Sequence, residues 1–217
     1  MKNLFSNKGP YSGLYQIDFD LKPGDNVLDV GGGNKPFPRS THVIDMPGSD
    51  NEKQRHFKKL NIGDRKFIEG DASEVLSDFP DDYFDFCYSS HTFEHIENLQ
   101  KAIDLISAKC KRGFYALPGS DLEFLTTKKH FGHVNLCRQI GNVLHFCQRP
   151  SHSVIDELSH LWEEFFHYPP FNKLFEGHGC RGFRFVWEIR HYWEDKIEYK
   201  FYPHGEELFP QLKYFEK

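Results

Sequence analysis

Short apolar runs, each ending in glycine, an acid or serine, punctuate the first half of the chain. In DNVLDVGGG (Asp25–Gly33), Val27, Leu28 and Val30 form a run that stops at three glycines. The LKPG before it is turn chemistry, which starts a strand cleanly. THVIDM (Thr41–Met46), RKFIEGDAS (Arg65–Ser73), DYFDFCYSS (Asp82–Ser90) and KRGFYALPG (Lys111–Gly119) follow in the same style. Runs this apolar suit strands buried on both faces of a parallel sheet. Between the fourth and fifth runs, Phe93, Ile96, Leu99, Ile103 and Ile106 recur at three- and four-residue steps. That period predicts an amphipathic helix through TFEHIENLQKAIDLISAKCK (Thr92–Lys111). Strand, helix, strand at this spacing is a βαβ unit.

The second half follows another pattern. RFVWEIRHYWEDKIEYKFYP (Arg184–Pro203) holds two β-rich runs around Trp-Glu-Asp, which predicts an antiparallel hairpin closing the sheet. HVNLCRQIGNVLHFCQRP (His133–Pro150) has Gly141-Asn142 between apolar runs and reads as a smaller hairpin. SVIDELSHLWEEFF (Ser153–Phe166) reads as a helix capped by Ser151 or Ser153. Together these elements predict one α/β domain with a doubly wound, mostly parallel sheet. Residues 1–24 form an N-terminal extension and 25–119 the core. Residues 120–180 form an insertion over the ligand face, and 181–217 supply the closing strands.

Composition narrows the partners. The formal net charge is -5 with no long basic run, so nothing in the charge pattern favours nucleic acid or an anionic membrane. No apolar run approaches the roughly 18–20 residues of a membrane span. The N-terminus lacks the apolar stretch of a signal peptide. Five dispersed cysteines without a C-x-x-C pair fit a reducing compartment, so a cytoplasmic location is expected. Most of the 13 histidines lie after residue 90, which puts polar chemistry in the second half.

In an open parallel sheet, ligands bind beyond the carboxyl ends of the strands. Gly31, Gly32 and Gly33 follow the first strand, where missing side chains let backbone approach a ligand. Asp45 ends the second strand and can accept hydrogen bonds from a ribose diol. Asp71 ends the third and can meet an adenine amine or cap the next segment. The dinucleotide fingerprint G-x-G-x-x-G fails, because Pro36 stands at its third position. No phosphate loop follows either. His91, Glu94 and His95 spell H-x-x-E-H, a zinc-peptidase pattern if all three lie on one helix. The same residues can instead line a ligand site or fix the helix start.

VLDVGGG…HVIDM…IEGDAS…FDFCYSSHTFEHIEN resembles the class I S-adenosylmethionine-dependent methyltransferases, in the broad methyltransferase-11-like group. The resemblance covers roughly residues 25 to 119 and rests on four motifs in order at strand ends. It implies a Rossmann-like fold and S-adenosylmethionine as cofactor. It places Asp29, Gly31, Gly32 and Gly33 at the methionine end of that cofactor and Asp45 at the ribose, and Asn34 and Met46 count among the cofactor-binding residues. Asp71 and Ala72 then lie against the adenine, and Ser89, Ser90 and His91 line the methyl-donor pocket. The chain departs from the family at Lys35, which replaces the usual third glycine. It departs again at NKPFPRS, where Pro36 and Pro38 interrupt the usual first helix. The shortened first crossover looks like that of some sugar and glycan methyltransferases.

The activated methyl of a sulfonium mainly needs a nucleophile held in line with it. A hydroxyl acceptor also needs a base, and histidine suits that task. His91, His95 and His133 are the candidate bases, with His130 close by in sequence. The expected activity is O-methylation of a small-molecule or glycan hydroxyl. A non-catalytic cofactor-binding relative and a zinc hydrolase using His91, Glu94 and His95 are the alternatives. No resident metal is expected; a divalent ion, if used, would fall to Glu94 and His95.

Overall fold

The computed structural model describes residues 19–47, 59–119, 132–149 and 188–203. The proposed helix over 153–166, His130 and most of the expected insertion lie outside these residues. Strands β1 (Val27–Val30), β2 (His42–Asp45), β3 (Lys66–Glu69), β4 (Phe86–Ser90), β5 (Arg112–Pro118) and β8 (Glu188–Glu194) form a six-stranded sheet. Their order is β3-β2-β1-β4-β5-β8. All neighbours are parallel except β8, which runs antiparallel to β5. The order reverses between β1 and β4, the switch point where such sheets leave a crevice.

Side chains alternate across the central strands, as the pleat requires. Val27, Phe86, Tyr88, Phe114 and Ala116 face one side with Phe19, Leu21 and Phe37. Leu28, Val30, Cys87, Tyr115 and Leu117 face the other, under α2 (Leu99–Lys109). Leu99, Ala102, Ile103 and Ile106 are the buried stripe of that helix, at the predicted spacing. Residues 31–40 contain no helix, in keeping with Pro36 and Pro38. Phe37 fills part of the space instead, stacking on Tyr88 with ring centroids 4.6 Å apart. Arg65 ties the loop down through Ser40 Oγ and the Phe37 and Pro38 carbonyls.

Three local expectations are corrected. The third run gives only a four-residue edge strand with exposed ends, because nothing described pairs beyond β3. The predicted helix begins at Leu99, not Thr92. His91 adopts a left-handed φ of 54°, and Phe93–His95 form a separate 3-10 turn. Phe93 and Ile96 are buried all the same, so their spacing imitated a continuous helix. Finally, the runs around Trp193–Asp195 do not pair with each other. The first becomes β8, while β9 (Tyr199–Tyr202) crosses to a second sheet, parallel to β7 (Val143–Gln148). The smaller predicted hairpin is present: β6 (Asn135–Ile140) pairs antiparallel with β7, and Gly141 takes φ 62° at the turn.

Candidate functional site

The loop after β1 is wrapped around two buried carboxylates. Asp29 is 2% exposed, and its Oδ2 accepts the Phe37 N–H at 2.6 Å. Asp45 ends β2, and its Oδ2 accepts the Gly33 N–H at 2.6 Å. Burial raises the Asp29 pKa to about 7. The Phe37 hydrogen bond opposes that rise, and the nearby Asp45 charge adds to it. The glycines serve this internal packing first. A Cβ on Gly32 would stand 2.7 Å from the Asp29 carboxylate. Gly31 has φ 77°, and a Cβ there would stand 2.1 Å from Thr92 Oγ1. Gly33 also turns the chain, at φ 55°. Asn34 and Met46 lie half-buried beside the loop.

The segment after β4 closes on this loop. Ser89 is fully buried, and its hydroxyl donates to the Val30 carbonyl at 3.0 Å. Thr92 Oγ1 donates to the same carbonyl at 3.1 Å while packing on Gly31. The ends of β1 and β4 are therefore stitched together, with Ser90 half-buried between them. His91 lies between two carboxylates, 3.5 Å from Glu94 and 3.4 Å from Glu188. Arg190 also pairs with Glu188 at 2.8 Å. Partial burial disfavours a charged ring, but the two carboxylates outweigh it and raise the His91 pKa to about 10.

Beyond His91 the 3-10 turn brings together groups from distant parts of the chain. Glu94, His95 and His133 place ligand-capable atoms within 4.8 Å of one another. The two imidazoles meet edge to face, with centroids 4.5 Å apart. Glu94 is 4% exposed, and among the described residues none donates a hydrogen bond to either of its carboxylate oxygens. Burial raises its pKa, but the neighbouring histidines, His91 foremost, bring it below the usual value. His95 Nδ1 lies 3.1 Å from the Gly132 carbonyl and must carry the proton there, which leaves the lone pair on Nε2. Burial, the largest influence on that ring, lowers its pKa.

Of the residues expected in the site, Asp29, Asp45 and the glycines meet at the ends of β1 and β2, and His95 and His133 meet beyond β4. Asp71 acts as an N-cap, accepting the Ser73 N–H at 2.7 Å, with Ala72 buried behind it in α1 (Ala72–Val75). H-x-x-E-H does not lie on one helix, so the geometry of a helical zinc-peptidase motif is absent. Three contributors went unread in the sequence. Thr92 packs on Gly31, and Glu188 pairs with His91 from β8. Asn135 donates to the Phe93 and Ile96 carbonyls at 3.1 and 2.6 Å. A lone asparagine opening an apolar run was the available signal for the last.

No match was found among the curated proteins compared. Several solved structures overlap part of the chain. The YcgJ protein of Bacillus subtilis is 20% identical over 44% of this chain and 45% of its own, at a TM-score of 0.32. An S-adenosylmethionine-dependent methyltransferase of Mesorhizobium loti is 16% identical over 48% and 49%, at 0.34. Phosphoethanolamine N-methyltransferase 2 of Haemonchus contortus is 21% identical over 46% and 26%, at 0.35. The chain thus spans less than half the length of each of these three. A family model described as a methyltransferase domain matches residues 12–165, well over half the sequence. The chain belongs to that methyltransferase-domain family.

Proposed function

We propose that this chain transfers the methyl group of S-adenosylmethionine to a hydroxyl oxygen of a small-molecule or glycan acceptor. One observation carries the reading: the glycine loop after β1 and the histidine cluster after β4 meet at the switch point, joined through Thr92 and Gly31. A nucleoside cofactor fits the first half of that juncture. Asp45 stands at the end of β2, where a ribose diol would come, and Asn34 and Met46 flank the loop. Bound there, the cofactor supplies an activated methyl on sulfur.

The chain's own residues supply position and a proton acceptor. His95 is the base this reading favours. Its Nδ1 proton is committed to Gly132, its Nε2 holds the lone pair, and burial keeps the ring neutral. His91, held between Glu94 and Glu188, is a fixed cation and not a base. Calorimetry with S-adenosylhomocysteine tests the cofactor half: the wild-type chain binds, and Asp45→Ala binds at least about tenfold more weakly. Turnover on a panel of hydroxyl acceptors tests the other half. His95→Ala should lower turnover by about a hundredfold while leaving cofactor affinity intact. Absence of cofactor binding would sink the reading, as would full activity in His95→Ala.

A further inference from the structure

We infer that Glu94, His95 and His133 form a binding site for a divalent cation of the zinc and cobalt class. The first observation is the donor set. Two imidazoles and one carboxylate, with ligand atoms all within 4.8 Å, are the ligands such ions take in protein sites. Bonds of about 2.1 Å in tetrahedral geometry set ligands about 3.4 Å apart. Side-chain rotations that close the cluster by about an ångström therefore suffice.

The second observation is independent of the first. Glu94 is a carboxylate 96% buried, since 4% of it is exposed, and among the described residues neither of its oxygens has a hydrogen-bond donor. A buried carboxylate without donors is costly, and proteins satisfy such groups with hydrogen bonds, paired charge or a metal. His91 supplies charge at 3.5 Å from one side but no hydrogen bond, and it is itself shared with Glu188. The side of Glu94 that faces His95 and His133 is where a cation would complete it.

Third, the ligand tautomer is already set. A ring that donates through Nδ1 to a backbone carbonyl presents Nε2 to a metal, and the Gly132 carbonyl does this for His95. The Val134 N–H donates to the Glu94 carbonyl at 2.7 Å, so the segment bearing His133 is pinned to the turn bearing Glu94 and His95. An ion at this point would take the His95 lone pair as a ligand. Its Lewis acidity would then polarise the acceptor hydroxyl in place of the imidazole, the proton passing to solvent. That consequence, unlike the site itself, rests on the proposed function.

The test uses full-length protein stripped with chelator and titrated with Co2+, read by visible absorption and by metal content after desalting. The expected result is one equivalent of Co2+, displaced by Zn2+. Glu94→Gln and His133→Ala should weaken uptake at least tenfold, while His145→Ala, a histidine outside the cluster, should bind as the wild type does. Melting curves in chelator verify that each variant is folded. No uptake by the wild type overturns the inference, and so does equal uptake by wild type, Glu94→Gln and His133→Ala. S-adenosylhomocysteine calorimetry on the same preparations separates the two ideas. Cofactor binding without Co2+ uptake removes only the metal site, and Co2+ uptake without cofactor binding removes only the proposed function.

Discussion

Asp29 illustrates how much one residue in an apolar run can carry. It interrupts Val-Leu-Asp-Val, where a hydrophobic side chain would cost nothing, and it is almost sealed from water. Burial, partly offset by the Phe37 N–H and reinforced by Asp45, lifts its pKa from 3.8 to about 7. The sign of the linkage follows. Between about pH 4 and 7 the folded chain holds a proton that the unfolded chain has released. Asp29 therefore makes stability fall as pH rises through that window, by up to about 1.4 kcal/mol per pH unit, and has no further effect above it. Several histidines titrate in the opposite sense, so the informative quantity is a difference. Denaturant unfolding of wild type and Asp29→Asn across this range should show the wild type losing stability relative to the variant as pH rises from about 4 to 7, with the difference levelling off above neutral pH. A difference that does not vary with pH would mean that Asp29 is ionised throughout.

At the scale of elements, the 3-10 turn Phe93–His95 is the piece on which the candidate chemistry depends, and β6 holds it in place. Asn135 is 2% exposed and satisfies two carbonyls at once, those of Phe93 and Ile96. Asn135→Ala takes the amide donor from the buried Ile96 carbonyl and leaves the Phe93 carbonyl with the Ile96 N–H alone, which costs about 1–3 kcal/mol. The melting temperature should fall by several degrees, and a drop of less than one degree would show that water replaces the amide. The same turn shows what sequence could and could not reveal. β1, β2, β4 and β5 were legible because burial on both faces leaves continuous apolar runs, and α2 because its stripe repeats at the helical period. The turn was not, since Phe93 and Ile96 keep that period while the backbone leaves it at His91. The destination of β9 was also hidden, because a β-rich run specifies pairing but not the partner. In the site, the acids and glycines at strand ends could be read from position alone. The meeting of His133 with Glu94 and His95 depends on where the hairpin β6–β7 docks, which no local pattern encodes.

For the whole molecule, the question is whether the two sheets unfold together. Their strands do not pair with each other among the described residues, yet they share one core. A line of rings crosses the boundary. Phe146 of β7 lies 6.4 Å from Phe93, Phe93 lies 4.5 Å from Tyr115 of β5, and Tyr115 lies 6.0 Å from Trp193 of β8. Leu144 and Phe146 are 0% and 1% exposed, so the small sheet has buried its inner face against the large one. Phe146→Ala removes the middle of that contact and should cost about 3–5 kcal/mol, the usual range for an emptied aromatic site. The way the loss is distributed is the sharper test. If the sheets form one cooperative unit, far-UV circular dichroism and aromatic fluorescence shift to the same lower midpoint in a single transition. If the small sheet folds on its own, the variant shows an early transition in which only part of the signal is lost. A single transition would mean that the segment carrying His133 stays in register with the turn carrying Glu94 and His95 for as long as the protein is folded, so that the cluster's geometry is a property of the whole fold.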